Sequence, residues 1–265
     1  MNIFIVEMKA HRKSLIIWAF GILFMVAAGM GKYAGLSSSG QSMNELLSQM
    51  PNSMKAIMGV GTLDLSKASG YYGVLFLYLV LMATVHAVMI GADIISKEER
   101  DKTTEFLLVK PISRSKIITS KLLAATMNVL IFNIITLVSS IVIVGKYGKG
   151  EDVFSDIIIL MIGMFLLQLM FMVIGTAIAA VNKNSKAATS ISTAVLLITF
   201  ILSIVIDISG KVDFLKYLTP FKYFEAKNLM FGGGLQLNFV ILTIIIICTL
   251  VYITYVSYEK RDMNI

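Results

Sequence analysis

The chain has 265 residues, of which 57% are hydrophobic and 15% are charged, and its mean hydropathy is +0.83. A soluble domain of this size would carry about 25% charged residues, so the composition excludes an ordinary soluble globular protein. The formal net charge of +7 does not indicate a nucleic-acid-binding protein, because the basic residues flank apolar stretches, where membrane proteins concentrate them.

Several apolar stretches approach or exceed the roughly 20 residues needed to cross a hydrocarbon core of about 30 Å. Each must be helical, because lipid offers no hydrogen-bond partner to a free backbone N–H or C=O. The six predicted spans are 14–30, 71–95, 122–144, 157–181, 187–206 and 237–258. We therefore predict an all-α polytopic membrane protein with six transmembrane helices, in which residues 1–265 form a single transmembrane domain.

The distribution of lysine and arginine predicts the orientation of these spans. If the N-terminus is cytoplasmic, fourteen of the 23 basic residues lie in 51 inner positions, and nine lie in 82 outer positions. The inner segments are 1–13, 96–121, 182–186 and 259–265, and the outer segments are 31–70, 145–156 and 207–236. Because six spans return the chain to the same side, both termini are expected in the cytoplasm.

The first thirteen residues, MNIFIVEMKAHRK, mix apolar and charged side chains. Two interpretations are open: a short helix along the inner membrane surface, or a frayed tail whose basic side chains reach the lipid headgroups. The apolar stretch that follows, of about 17 residues, is at or beyond the usual length for a signal peptide, and no small-x-small cleavage site follows it. We therefore expect the first span to be retained.

Two outer loops contain apolar residues. In residues 31–70, apolar residues at helical spacing lie on both sides of Pro51, and proline interrupts a helix or occupies its first turn. We expect two short surface helices there, before the second span, followed by a turn at 59–61. The loop 207–236 is rich in aromatic residues, which favour the membrane interface. Short helices that dip into the outer leaflet are expected there, before the sixth span.

The segment between the second and third predicted spans, residues 96–114, is both charged and partly apolar, and we call it the hook. Ser96 followed by Glu99 matches a capping box, a pattern with which helices begin. It predicts a separate helix that starts at Ser96 and places its acidic residues near the positive end of the helix dipole. Pro111 is expected to end this helix near Val109.

Ser113 follows the proline and is placed to cap the next helix, which enters the third span. The hook helix would carry a semi-apolar face, with Phe106, Leu107 and Val109, beside its carboxylates. Such a helix is either a docking element for a soluble partner or a surface helix that rests on its own bundle. The spacing of the residues leaves both interpretations open.

The hook resembles the cytoplasmic signature of ABC transporter permeases of the type-2 export class. That signature has an acidic pair, a Thr-x-Glu-x-Leu-Leu, a Pro-x-Ser-Arg and a lysine that opens the next span. The matching residues here are Glu98, Glu99, Thr103, Glu105, Leu107, Leu108, Pro111, Ser113, Arg114 and Lys121. A Gly-Thr pair is common in that family where this chain has Lys102-Thr103 or Thr103-Thr104. The outer stretches LLSQMPNSMKAIMGVG, GYYG and TPFKYFEAKNLMFGG are similar to segments of the same family, in the same order.

The resemblance implies the permease subunit of an exporter in the cytoplasmic membrane. Two permease chains, identical or related, would form a twelve-span pathway, and each would dock on a separate ATPase that binds ATP and Mg²⁺. Consistent with a separate motor, the sequence contains no G-x-x-x-x-G-K-[ST] phosphate loop. We therefore expect no catalytic residue, no metal and no cofactor bound by this chain. The excess of lysine over arginine, with abundant isoleucine, is typical of an AT-rich bacterial genome.

The resemblance also assigns roles within the hook. Its carboxylates would pair with basic groups on the ATPase, its apolar residues would fill a groove of that protein, and the residues after them would fix the return angle. The carboxylates are Glu98, Glu99, Asp101 and Glu105, the apolar residues are Phe106, Leu107 and Leu108, and the returning residues are Pro111 and Arg114.

Polar residues inside a membrane are candidates for function. The candidates here are His86, Asp93, Asn128, Asn133 and Gln168. We expect a hydrogen bond from His86 to a neighbouring helix, a structural role for Asp93, and bridges between helices from the three amides. The small residues Gly163, Gly175, Ala179 and Ala180 would allow close helix packing, either within the chain or across a dimer.

The alternative function is a secondary transporter or channel that works without an ATPase. That class often shows internal repeats and facing charges near the midplane, and the sequence shows no repeat and few intramembrane charges. A membrane-embedded enzyme would need a catalytic motif such as H-E-x-x-H, and the two histidines, at positions 11 and 86, do not supply one.

Overall fold

The computed structural model describes residues 2–38, 50–60, 63–105, 112–148, 153–182, 184–209 and 212–261. Its helices in chain order are α1 (Ile3–Ser38), α2 (Asn52–Ile57), α3 (Ala68–Arg100), α4 (Arg114–Tyr147), α5 (Phe154–Val181), α6 (Ala188–Ser209), α7 (Ala226–Phe231) and α8 (Leu237–Lys260). Six of these helices are long and apolar enough to cross a membrane, and α2 and α7 are short. The described residues contain no strand. The predicted all-α polytopic class with six spans is therefore confirmed.

Helix α1 is continuous from Ile3 to Ser38. Both interpretations of residues 1–13 are therefore wrong, because the described part of this segment is the beginning of the first spanning helix. No glycine or proline interrupts the sequence there. The segment also carries two buried polar side chains, Glu7 and His11, so it packs against the bundle rather than on a membrane surface.

Helix α3 extends beyond the predicted second span, to Arg100. The capping box predicted at Ser96 is wrong, because Ser96 lies inside α3 and its hydroxyl donates a hydrogen bond to the carbonyl of Ala92 (2.8 Å). A capping residue needs a non-helical backbone, and nothing between Ala92 and Arg100 breaks the helix. Glu98 and Glu99 therefore lie at the negative end of a helix dipole, where carboxylates need other partners.

Ser113 caps α4 as predicted, since its hydroxyl accepts a hydrogen bond from the N–H of Lys116 (3.4 Å). The predicted helix end near Val109 lies outside the described residues, as do Pro111 and the apolar residues 106–108 of the hook. The described part of the hook comprises residues 96–105 and 112–114.

Helices α3 and α5 cross at two glycines in the centre of the bundle. A side-chain carbon on Gly91 would overlap the carbonyl oxygen of Met172, and one on Gly175 would overlap the carbonyl oxygen of Val88 and lie 2.9 Å from the amide nitrogen of Ala92. The two backbones touch because neither helix has a side chain at the crossing. Gly175 therefore serves packing within the chain.

Gly163 has a similar role on α5. A side-chain carbon there would lie 2.7 Å from Leu229 Cδ1 and 3.2 Å from Phe224 Cβ, so the glycine makes room for the segment before the sixth span. Ala179 and Ala180, near the end of α5, are buried as well. The small residues whose role the sequence leaves open are thus in contact with their own chain.

The described parts of the two predicted outer loops contain short helical segments. Helix α2 begins directly after Pro51, as expected, whereas the first of the two predicted surface helices and Gly61 lie outside the described residues. In the second loop, two 3-10 turns, Asp213–Leu218 and Pro220–Lys222, precede α7. Short helices before the second and sixth spans are therefore present.

The aromatic residues of the second outer loop do not all take the interfacial position that the sequence predicts. Phe221, Tyr223 and Phe224 are buried. The ring of Phe221 lies 5.1 Å from that of Phe171 and 5.2 Å from that of Phe200, so the loop inserts between α5 and α6. Burial of these large rings in the bundle stabilises the loop more than an interfacial position would.

Candidate functional site

Charged side chains from several helices meet at one end of the bundle. Lys121 Nζ on α4 lies 2.6 Å from Glu98 Oε1 on α3 and 3.3 Å from Glu7 Oε1 on α1. It also donates a hydrogen bond to the carbonyl of Ile94 (2.5 Å). The other carboxylate oxygen of Glu7 accepts a hydrogen bond from Lys97. Two carboxylates and two ammonium groups thus balance each other within three helices.

The central side chains of this group are buried, so each charge needs its partners within the chain. The side chain of Lys121 is 0% exposed and that of Glu7 is 3% exposed. An isolated charge in such a position would be very costly, so it is retained only when it is paired and hydrogen-bonded. Ile94 and Glu98 are four residues apart and lie on one face of α3, which lets a single ammonium group contact both.

A second ion pair joins the hook to the end of the chain. Arg261 Nη2 lies 2.5 Å from Glu99 Oε2, and Arg261 Nη1 donates to the carbonyls of Ala179 (2.5 Å) and Ala180 (3.2 Å). Those carbonyls end α5, where a helix leaves its last acceptors without intrahelical partners. Arg261 therefore ties α5 and the residue after α8 to the hook. We call the six residues of these two groups the basal network: Glu7, Lys97, Glu98, Glu99, Lys121 and Arg261.

Arg114, predicted to fix the return of the chain, contacts the same region. Its guanidinium donates to the carbonyls of Glu259 (2.9 Å) and Arg261 (2.7 Å). The hydroxyl of Ser115 donates to the Glu259 carboxylate. The first turn of α4 is thus fixed to the last turn of α8, next to the basal network.

The structure separates the hook carboxylates into two groups. Glu98 and Glu99 point inward and are paired within the chain. Asp101 and Glu105 are exposed, as is the hydroxyl-bearing Thr103 between them, and Asp101 accepts a hydrogen bond only from its neighbour Arg100 (3.0 Å) among the described residues. In this conformation only the second group presents carboxylates that a partner protein can reach.

The hook turns away from α3 at Lys102, whose φ of +56° is the only positive value among the described non-glycine residues. The N–H of Lys102 bonds to the carbonyl of Glu99 (3.3 Å), and the N–H of Thr103 bonds to that of Glu98 (2.8 Å). These two bonds are the Schellman arrangement, which favours glycine at the left-handed residue. The Gly-Thr pair of the resembled family would place its glycine here.

Replacement of Lys102 by glycine is expected to stabilise the chain by about 0.5–1 kcal/mol, because glycine adopts positive φ without strain. Replacement by valine should destabilise it by about 1 kcal/mol or more, since β-branched residues tolerate that region least. The thermal unfolding midpoints of both variants in detergent test this order. Equal thermal midpoints for the valine and glycine variants would show that residue 102 does not need a left-handed backbone.

The polar residues that the sequence analysis selected within the spans are not members of the basal network. His86 is buried, with its ring 4.8 Å from that of Phe132 and 5.7 Å from that of Trp18. Its Nδ1 atom has no hydrogen-bond partner among the described residues, so this atom does not make the expected bond to a neighbouring helix. Asp93 pairs with Arg100, two turns further along α3.

The three amides contact other parts of the bundle. Asn133 Nδ2 donates to Gln168 Oε1 (3.0 Å) and to the carbonyl of Met161 (3.2 Å), which links α4 to α5. Asn128 Nδ2 donates to the carbonyl of Ala124 (2.8 Å) and lies 3.1 Å from Met8 Sδ on α1.

Sequence reasoning did not select three members of the basal network: Glu7, Lys97 and Arg261. For Glu7 a signal exists, because it is the only acidic residue among the first 44. Nothing in the sequence indicates that Arg261 reaches Glu99, 162 residues earlier.

Comparison with known protein families gives a match over nearly the whole chain. The family model described as "ABC-2 family transporter protein" matches residues 1–263. The match includes the hook, all six members of the basal network and both outer loops. A search of curated proteins gives no match.

Proposed function

The chain belongs to the ABC-2 family of transporter proteins, and from this premise we propose that it is the permease subunit of an ATP-driven exporter. Its ATPase is a separate protein that docks on the hook, and a second permease chain, identical or related, completes the pathway. In this proposal the end of the bundle that carries the basal network faces the cytoplasm, because that end also carries most of the basic residues.

The observation that carries this proposal is the position of the basal network. It links the base of the hook to α4 and α1 through Lys121, and to α5 and the end of α8 through Arg261. A flexible connection between two spans has no need of buried ion pairs with distant parts of the chain. A rigid base is what an element needs if it is to pass the movement of a soluble partner to the spans.

The exposed part of the hook supplies the docking surface in this proposal. Asp101 and Glu105 are exposed, whereas Glu98 and Glu99 hold the base. Charged groups at the rim of an interface steer association and improve complementarity. The ATPase should therefore present basic groups to Asp101 and Glu105, and a groove to the apolar residues 106–108.

The double variant Asp101→Lys and Glu105→Lys is expected to lose most of the bound ATPase, because two attractive contacts become repulsive. The tagged chain is extracted from its native membrane, and the co-purifying ATPase is quantified by mass spectrometry. We expect at least a tenfold reduction, which corresponds to about 1.4 kcal/mol.

A matched control reverses two charges at the other end of the bundle, with Lys32→Glu and Lys67→Glu, both exposed. That variant should retain the ATPase at the level of the unmodified chain. Equal ATPase recovery from both double variants would show that the hook is not the docking element.

A further inference from the structure

The end of the bundle opposite the basal network contains a cavity of about 320 Å³. It lies between α2, α3, α6 and the start of α7. Cavities of this order hold small ligands in other proteins, with apolar walls and a few polar groups that fix orientation. Its wall on α3 runs from Gly73 to Val80, which corresponds to about 10 Å of depth.

Much of the cavity lining is apolar, although it also includes Ser203, whose hydroxyl donates a hydrogen bond to the carbonyl of Phe200. Phe76 and Val80 of α3 line the cavity, together with Ile204 of α6 and Phe221 of the inserted loop. Phe221 is fixed by its contacts with the rings of Phe171 and Phe200. This wall is therefore preformed and suits a hydrocarbon chain or a ring system.

The mouth of the cavity is charged. Lys227 lies 3.2 Å from Glu225 and 3.6 Å from Asp207, and the buried Lys222 lies 2.5 Å from Asp207 and also pairs with Glu225. Burial lowers the pKa of Lys227, but Glu225 and Asp207 raise it more, so this lysine stays protonated. Two lysines and two carboxylates thus neutralise each other.

Lys55, at the end of α2, adds one positive charge to this neutral set. It lines the cavity and is half-buried, and among the described residues its amino group has no ion-pair partner. The lining contains Lys55, Lys227, Asp207 and Glu225, and Lys222 pairs with both carboxylates from outside the lining. Together they give three lysines and two carboxylates, an excess of one positive charge. This excess positive charge can be neutralised by an anionic ligand.

We propose that this cavity binds an amphipathic anion, with its phosphate or carboxylate head at Lys55 and its apolar body between Phe76, Val80 and Phe221. A largely apolar wall and an unpaired cation in one cavity match a molecule that has an apolar body and an anionic head. The source of such a molecule is either a membrane lipid or the exported cargo.

The chain allows a direct measurement of occupancy, since Cys248 is its only cysteine. In a Cys248→Ser background, Ala56→Cys places a thiol in the wall beside Lys55. The purified chain is inserted into phosphatidylcholine nanodiscs, and the rate of reaction with a sulfonated maleimide is measured. Dodecyl phosphate is expected to slow this reaction saturably. Dodecyltrimethylammonium, which has the same chain length and a positive head, and inorganic phosphate, which has no chain, are expected to leave the rate unchanged.

Lys55→Glu in the same background should raise the half-protecting concentration of dodecyl phosphate by about tenfold or more, the effect of losing one good ion pair and adding a repulsion. Lys55→Arg should retain protection. Lys67→Glu makes the same charge change on an exposed residue outside the cavity and should leave protection unchanged. Equal protection by the cationic amphiphile, or no effect of Lys55→Glu, overturns the proposal.

Two further experiments distinguish a membrane lipid from an exported molecule as the source of the ligand. A phospholipid or fatty acid that co-purifies with the unmodified chain, and is lost from Lys55→Glu, identifies a resident membrane lipid. ATP-dependent accumulation of radiolabelled dodecyl phosphate in inverted membrane vesicles, lost in Lys55→Glu, identifies an exported amphipath. Because the labelling experiment uses the chain alone, its outcome is independent of whether an ATPase docks on the hook.

Discussion

Replacement of Lys121 by methionine is expected to lower the free energy of unfolding by about 3–5 kcal/mol, the usual cost of removing one partner of a buried ion pair. Methionine fills a similar volume, but it leaves the Glu98 carboxylate without its cation and removes one of the two ammonium groups that pair with Glu7. Both carboxylates then remain in a poorly solvated position. The thermal midpoint of the detergent-solubilised protein should fall by many degrees, and the yield of monodisperse protein should fall with it.

A matched control for this variant lies on the same helix. Lys116→Met removes the same charge from an exposed position at the start of α4 and should change the midpoint little. Glu98→Gln combined with Lys121→Met should recover part of the loss, since the carboxylate that has lost its cation is replaced by a neutral amide. If Lys121→Met and Lys116→Met lower the thermal midpoint by the same amount, Lys121 does not hold the base of the hook.

The second large effect is expected at the crossing of α3 and α5. Gly175→Val should prevent folding, because the new side chain would meet the carbonyl oxygen of Val88 and the amide of Ala92. Overpacking in a core usually costs about 1–3 kcal/mol when side chains can move aside. Here the obstructing atoms belong to the backbone of α3, so the helices themselves would have to separate and lose their central contact.

Two other helical glycines provide the control. At Gly31 on α1 and Gly145 on α4, a side-chain carbon would have no described atom within 4 Å apart from its chain neighbours and the nearby backbone of its own helix. Alanine at either position should be neutral or stabilising by up to about 1 kcal/mol. The comparison is measured as the recovery of monodisperse protein after size-exclusion chromatography. Recovery of Gly175→Val at the level of the alanine controls would contradict the close crossing.

Much of the architecture follows from local features of the sequence. The six spans follow from apolar length alone, because the bilayer sets the required number of residues. The cap at Ser113 follows from its position before an apolar helix. The left-handed backbone at Lys102 agrees with the resembled family, in which glycine is common at this part of the hook and favours positive φ.

Other features depend on packing between distant residues. The capping box at Ser96 matches a local pattern, but the helix continues through it because no breaker precedes it. The basal network joins Glu7 to Lys121 and Glu99 to Arg261, and no local pattern encodes either pair. Phe221 is aromatic and lies in a loop, which predicts an interfacial position, yet its neighbours bury it.

In the proposed exporter, the basal network carries movement from the hook to the spans. Hydrogen–deuterium exchange of the native complex, with and without ATP, measures this coupling when the ATPase is a variant that binds ATP but does not hydrolyse it. ATP is expected to change the exchange in the hook and also in residues 3–13 and 255–261. In Glu99→Gln, with the ATPase still bound, the change at 255–261 should disappear while the change in the hook remains. A response confined to the hook in the unmodified chain would show that the basal network does not carry the movement to the spans.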